Sequence, residues 1–180
     1  MPVWAWVLIA IAAAAALGYL VYRAVTKQRL QRRFGEEYDR TVEDRGDPRA
    51  AQADLREREK RRKGLNIVPL SDASRTRSTQ RWQDIQSRFV DMPAEAVREA
   101  DALIVNVMRE RGYPVDDFDQ RAADVSVDHP NVVTHYRDAH ATLDRGSQAS
   151  TEQMRDATVH YRALFEELVQ GGTEEERRVS

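Results

Sequence analysis

Twenty consecutive residues near the amino terminus, Val3 to Tyr22, carry no charge. A helix rises about 1.5 Å per residue, so a helix of this length covers about 30 Å, the thickness of the hydrocarbon core of a bilayer. The next eleven residues, Arg23 to Arg33, contain five Lys or Arg. This arrangement predicts a transmembrane anchor over residues 1–22 that tethers the rest of the chain to a membrane.

Aromatic residues near both ends of the uncharged run favour a spanning helix. Trp4 and Trp6 lie near one end and Tyr19 and Tyr22 near the other, where such rings prefer the headgroup level. A cleaved secretory signal is the alternative, but it needs basic residues ahead of its apolar core, and no Lys or Arg precedes Val3. Because basic residues near a span favour the cytoplasmic side, we expect the C-terminal part in the cytoplasm.

Small residues recur every fourth position within the run, at Ala10, Ala14 and Gly18. Such a stripe lets two membrane helices approach closely, so a weak homodimer through these residues is one hypothesis. The same spacing also arises by chance in an alanine-rich segment. The partner that the run itself indicates is therefore the lipid bilayer.

The remainder of the chain divides into two parts of opposite charge. Residues 23–63 contain 14 basic and 9 acidic residues, net +5, and residues 64–180 contain 14 basic and 21 acidic residues, net −7. We predict a charged juxtamembrane helical arm over residues 23–64, a compact domain over 65–170 and a charged, disordered tail over 171–180.

The predicted arm consists of two helices. The first continues the N-terminal helix to Gly46 with an apolar residue at every fourth position, weakened at Gly35. The second opens with Asp47 as N-cap and has Leu55 as its only large apolar residue, which favours a solvated spacer. Its basic cluster, Arg56 to Lys63, contains interleaved acids and no aromatic residue, so a solvated face is favoured and nucleic-acid binding is not expected.

The domain is predicted to be all-α, because no useful window alternates strictly between apolar and polar residues. Helices are expected to begin after Ser71, at Pro93, at Asp117, at Pro130 and after the capping-box pair Ser150 and Gln153. The apolar strip LNIVPL, residues 65–70, is expected to dock against them. Short connections between short helices predict a compact bundle of four or five helices with antiparallel neighbours.

No motif identifies a catalytic residue, a cofactor site or a metal site. The chain has no cysteine and no Walker, GxSxG or HExxH pattern. All four histidines fall within 32 residues, but His135 and His140 are five apart, about 140° around a helix, and cannot share one ion without help from elsewhere. Ordinary surface and interface histidines are therefore favoured over a metal site.

One internal similarity links two helices: VHYRALFEEL, beginning at Val159, resembles THYRDAHATL, beginning at Thr134. The alignment pairs three positions, His135 with His160, Tyr136 with Tyr161 and Arg137 with Arg162. The favoured interpretation is two amphipathic helices that each bury Tyr and present Arg to solvent. A duplicated ligand-binding site is the alternative.

The loop from Gly112 to Asp119 is the predicted surface for a protein partner of unknown identity. Its Tyr113, Pro114 and Phe118 have the aromatic character of interface anchors. The favoured interpretation, however, is that these side chains simply fill the end of the bundle.

Four strings of the sequence carry a resemblance to known proteins: LQRRFGEEYDR (Leu30 to Arg40), RFVDMPAEAVREAD (Arg88 to Asp101), RERGYPVDDFDQRAADVSVDHP (Arg109 to Pro130) and HYRALFEEL (His160 to Leu168). They resemble a family of single-pass, membrane-anchored helical proteins from actinobacteria and other high-GC bacteria. The resemblance implies the same architecture and brings no assigned activity, cofactor or site. We therefore expect a membrane-tethered, non-enzymatic interaction or scaffold domain, with an envelope-facing sensor or ligand-binding module as the alternative and a hydrolase third.

Overall fold

The computed structural model describes residues 3–179, apart from the side chains of residues 3, 5–10, 12, 20 and 171–179. The helices are α1 Val3–Phe34, α2 Glu36–Arg45, α3 Pro48–Gly64, α4 Asp72–Arg88, α5 Pro93–Arg111, α6 Phe118–Asp128, α7 Pro130–Asp144 and α8 Thr151–Val179. A single 3-10 turn, Gly146–Gln148, lies between α7 and α8. Residues 3–179 contain no strand, so the all-α prediction is confirmed.

The chain forms two compact units, residues 1–55 and 56–180. In the first unit, Gly35 separates α1 from α2 with φ 51°, and Gly46 ends α2 with φ 66°. Both are left-handed conformations that glycine adopts without steric cost. Leu30, Phe34 and Tyr38 follow the predicted stride of four, and each is at most 2% exposed.

The predicted membrane span lies at the start of α1. Among the residues that the structure describes, no helix combines the length and the apolarity needed to cross a bilayer. Part of the span falls outside the description, because the side chains of Val3, Trp6 and Ala10 are not described. Trp4, Ala14, Gly18, Tyr19 and Tyr22 belong to the described part and are exposed. The anchor therefore stays a prediction.

The second unit is a helical bundle in which α8 packs against α5 and α7, α4 against α5, and α6 against α7. Its core is apolar and aromatic, and the rings of Trp82 and Phe165 stack with centroids 4.9 Å apart. The prediction of a compact bundle is confirmed, because apolar side chains at helical spacing meet on the inner faces.

Three helix starts in the bundle are capped by side chains, those of α4, α6 and α8. Ser71 Oγ accepts the backbone N–H of Ser74 at 3.2 Å, and Asp117 Oδ1 accepts that of Gln120 at 2.7 Å. The capping box is reciprocal: the Ser150 N–H donates to Gln153 Oε1 at 2.8 Å, and the Gln153 N–H donates to Ser150 Oγ at 3.2 Å. Each bond satisfies a backbone donor that the helix leaves without an internal acceptor.

The strip of residues 65–70 docks as predicted, at the end of α5. The Val68 N–H donates to Arg111 O at 2.9 Å, and the buried Arg111 guanidinium donates to Leu168 O at 3.0 Å. Gly112 has φ 98°, and a Cβ there would lie 2.4 Å from Asn66 O. The close approach of the strip therefore requires glycine at the end of α5.

The expectation that α3 is a solvated arm is wrong. Ala51 and Leu55 are fully buried. Further along α3, the Arg58 guanidinium donates to Ser126 Oγ at 3.3 Å and Arg61 Nε to Asp124 Oδ1 at 3.4 Å, and Arg62 forms an ion pair with Asp128. Counting apolar residues misses this packing, because the second half of α3 is held to α6 by arginines rather than by apolar side chains. Three of the six basic residues of this cluster, Arg58, Arg61 and Arg62, are thus committed within the bundle.

The predicted disordered tail, residues 171–180, lies outside the residues whose side chains the structure describes. It therefore stays a prediction.

Candidate metal centre

The internal similarity noted in the sequence becomes a contact in the structure. The imidazole rings of His135 on α7 and His160 on α8 stack with centroids 4.7 Å apart and planes at 29°. The next aligned pair, Tyr136 and Tyr161, also meets, with ring centroids 6.0 Å apart at 62°. His135 and Tyr136 of the first repeat therefore each contact their own equivalents in the second, at the point where the two helices cross.

A carboxylate completes this cluster at the surface. One ligand atom from each of His135, Asp138 and His160 lies within 4.8 Å of the other two. His135 and Asp138 are three residues apart on α7 and so share one face of that helix, while His160 faces them from α8. Among the described residues this is the one group of three or more potential metal ligands gathered so closely.

The two tyrosines beneath the cluster hold the helices at a fixed separation. Both are fully buried, and the Tyr136 hydroxyl accepts a hydrogen bond from Arg121 Nε at 2.7 Å. Burial, reinforced by the nearby Asp101 carboxylate, raises the pKa of both phenols above the ordinary value. The two side chains therefore stay neutral and act as packing elements.

A second group of polar and aromatic side chains lies next to Asp101. His140 Nδ1 is 3.6 Å from Asp101 Oδ1, and the His140 ring stacks on Phe118 with centroids 3.7 Å apart. The Arg121 guanidinium lies 5.4 Å from the centre of the Phe118 ring, in cation–π range. This group ties α5, α6 and α7 together.

In the predicted partner loop, Tyr113 is buried rather than available to a partner. Tyr113 is 3% exposed, and its hydroxyl donates to Asp128 Oδ2 at 2.6 Å. The turn at Gly112 directs the chain back, so the Tyr113 N–H bonds to Met108 O at 3.0 Å and the ring packs inward. Pro114 is exposed and Phe118 half-buried. The burial of Tyr113 agrees with the favoured interpretation that it fills the end of the bundle, and a partner contact at Pro114 and Phe118 stays a prediction.

The two aligned arginines are not equivalent. Arg162 is 55% exposed at its side chain and pairs with Glu166 at 2.7 Å, as the amphipathic interpretation expects. Arg137 is only 12% exposed and lies 4.0 Å from Asp119 Oδ1. The expectation that both arginines face solvent is therefore wrong for Arg137. The equivalence of the two repeats is limited to His and Tyr.

No family model, curated protein or solved structure matches this chain.

The histidine and aspartate cluster was missed because only spacings within one helix were tested. His135 and His140 indeed diverge around α7, and the second imidazole comes from α8 instead. The signal was present in the alignment of His135 with His160, for which packing was the favoured interpretation and a duplicated ligand site the alternative. A contact between equivalent residues requires the two repeats to cross at that residue, and the sequence does not state where two helices cross.

Proposed function

We propose that this chain is a non-enzymatic interaction module held at a membrane by the first part of α1. The observation that carries the proposal is the exposure of large apolar side chains on that helix. Seven of them are 54–65% exposed: Trp4, Ile11, Leu17, Tyr19, Val21, Tyr22 and Val25. Apolar surface of this extent marks a protein or membrane contact.

The distribution of these side chains favours lipid over a single protein partner. At about 100° per residue, the seven positions spread over more than half of the helix circumference. A helix that docks in one groove or coiled coil needs only a narrower apolar stripe. A helix that is apolar on most faces needs apolar contacts around most of its circumference, and the hydrocarbon chains of a bilayer can provide them.

The residues that follow support an interfacial position for the end of this segment. The Arg23 guanidinium lies 5.9 Å from the centre of the Tyr19 ring, which suits the headgroup region, where amphipathic rings and cations are both stable. The excess of basic residues from Arg23 to Arg33 favours the cytoplasm for the bundle. Residues 56–180, which form their own compact core, are then presented to a protein partner at the membrane surface.

The tether is tested by extracting membranes that contain the full chain with alkaline carbonate. We expect the wild-type chain in the pellet, and Ile11→Arg combined with Leu17→Arg in the soluble fraction, because each arginine costs roughly 2.5–3.5 kcal/mol near the centre of a span. Both side chains are exposed, so the folded bundle is expected to persist, as circular dichroism would show.

Val90→Arg is the matched control, because Val90 is 86% exposed but lies in the turn between α4 and α5. This variant should stay in the pellet. Release of the wild-type chain by carbonate, or retention of the double variant, would overturn the tether.

A ligand-binding module facing the envelope is the second candidate, and one observation favours it. A groove of about 270 Å³ lies between α4 and α8, lined by Trp82 and Phe165 together with polar residues that include Arg162. Trp82 is 5% exposed, and its indole Nε1 has no hydrogen-bond partner among the described residues. An acceptor group on a ligand would satisfy that donor.

The location of the bundle separates the two candidates. Alkaline phosphatase fused to the C-terminus is active only outside the cytoplasm, so we expect an inactive fusion for the cytoplasmic interaction module. An active fusion would favour the ligand-binding module.

A further inference from the structure

We propose that His135, Asp138 and His160 bind one divalent transition-metal ion across the α7–α8 pair. The inference concerns residues of the bundle alone and does not depend on a membrane tether. Two imidazole nitrogens and one carboxylate oxygen are ligands of Zn²⁺, Fe²⁺, Co²⁺ and Ni²⁺. Mg²⁺ and Ca²⁺ prefer sites made entirely of oxygen and are not favoured here.

The geometry requires only small side-chain movements. Ligand atoms bound to one ion at about 2.1 Å lie roughly 3–3.5 Å apart, and the three candidate atoms already lie within 4.8 Å of one another. His135 and Asp138 are exposed and His160 is half-buried, so rotamer changes at the surface can close the remaining gap without moving the backbone.

The backbone beneath the ligands is held in place. Tyr136 and Tyr161, each the residue directly after a histidine ligand, are fully buried and in contact. They set the separation of α7 and α8 at the level of the cluster. Ligands on packed helices are positioned better than ligands on loops, which lowers the cost of assembling a site.

Neighbouring charges do not oppose a cation at this point. The two arginines closest along the chain are each directed to a carboxylate: Arg162 Nε lies 2.7 Å from Glu166 Oε1, and Arg137 Nη1 lies 4.0 Å from Asp119 Oδ1. Asp138 contributes a negative charge next to the two imidazoles. The local charge is therefore compatible with a bound divalent cation.

Three protein ligands leave at least one coordination position for water or for a group from a partner. The ion would bridge two helices that are consecutive in sequence, and so would stabilise the folded bundle in proportion to its occupancy. An exposed ion with an open position also provides a point where a carboxylate or imidazole from another protein can bind.

The site is tested by titrating the full chain, in detergent micelles and freed of metal with a chelator, with Zn²⁺ alone by isothermal calorimetry. We expect one ion per chain. His135→Gln and His160→Gln should each weaken binding by roughly tenfold or more, since even loss of a residue that only supports a ligand costs 10–100-fold. Asp138→Asn keeps the side-chain shape, removes the charge, and should weaken binding as well.

His140→Gln and Asp156→Asn are the matched controls, because they remove an imidazole and a carboxylate from the same two helices outside the cluster. Both should bind Zn²⁺ as tightly as the wild-type chain. Replacing Zn²⁺ with Co²⁺ gives a second readout, a visible absorption band from an ion with nitrogen and oxygen ligands, which should vanish in His160→Gln. Absence of binding to the wild-type chain at millimolar Zn²⁺, or affinity unchanged in both histidine variants, would overturn the site.

Discussion

The two longest helices of the chain place their apolar side chains in opposite environments. In α1, with 32 residues, Trp4, Leu17 and Tyr22 are 60–65% exposed. In α8, with 29 residues, Tyr161 and Leu164 are fully buried. Both helices are rich in apolar residues, so apolar content alone does not explain the difference.

The arrangement of the apolar residues explains it. In α8 the buried apolar residues recur at intervals of three and four, which places them on one face: Ala157, Tyr161, Leu164, Phe165 and Leu168. In α1 they occupy most of the circumference and cannot all face one core. A helix joins a bundle through one apolar face, and a helix without a single face needs a surrounding medium.

The largest expected effect comes from shortening the same residue type in the two helices. Leu164→Ala removes a fully buried side chain and should lower the free energy of unfolding by about 2–5 kcal/mol. Leu17→Ala removes a side chain that is 64% exposed and should change it by less than about 0.5 kcal/mol. Urea unfolding in mild detergent, followed by circular dichroism, measures both. If both variants lower the free energy of unfolding equally, the two helices do not differ in how their apolar side chains contribute to stability.

A glycine in each unit sharpens the comparison. Gly46 and Gly112 both have left-handed φ, but a Cβ meets nothing within 4 Å at Gly46 and lies 2.4 Å from Asn66 O at Gly112. Gly46→Ala should cost about 1 kcal/mol from the backbone conformation alone, and Gly112→Ala roughly 2–4 kcal/mol, because steric overlap adds to it. Thermal and urea unfolding report the difference, and a smaller cost at Gly112 would contradict the close packing of the strip.

The smallest expected effect is a pH dependence confined to the bundle. Burial lowers the pKa of His129 below its ordinary 6.5. The unfolded chain therefore takes up a proton at a higher pH than the folded chain, so the stability that neutral His129 contributes above pH 6.5 is lost as the pH falls below that value.

His129→Gln should flatten this part of the curve when unfolding is measured in urea between neutral pH and pH 5. The exposed His135 provides the control, and His135→Gln with a chelator present should keep the slope. If the slope persists in His129→Gln, the pH dependence of stability arises from other titratable groups.

Local signals in the sequence predicted the helical elements well. The starts at Pro93 and Pro130 and the end at Gly46 occur as predicted, and the helix predicted from Asp117 begins one residue later, with Asp117 as its cap. These features depend on a few neighbouring residues, whose backbone preferences act over one turn. They are therefore visible without knowledge of the fold.

Predictions about long-range contacts were less successful. The second half of α3 was expected to be solvated, but Arg61 and Arg62 pair with aspartates more than 60 residues away. Tyr113 was offered both as an anchor for a partner and as a residue that fills the end of the bundle, and only its bond to Asp128 shows that it is held inward. Arg, Asp and Tyr are compatible with both solvent and a paired interior, so residue type alone does not decide between them.

The amino-acid sequence by itself determined that this chain is helical, where most of its helices begin, and that its first segment is apolar on most faces, because these properties depend on local preferences and on composition. Only the tertiary structure decided which helices cross and at which residue. That crossing brings His135 and Asp138 to His160, 22 residues beyond Asp138, because the packing of Tyr136 on Tyr161 sets the register between α7 and α8.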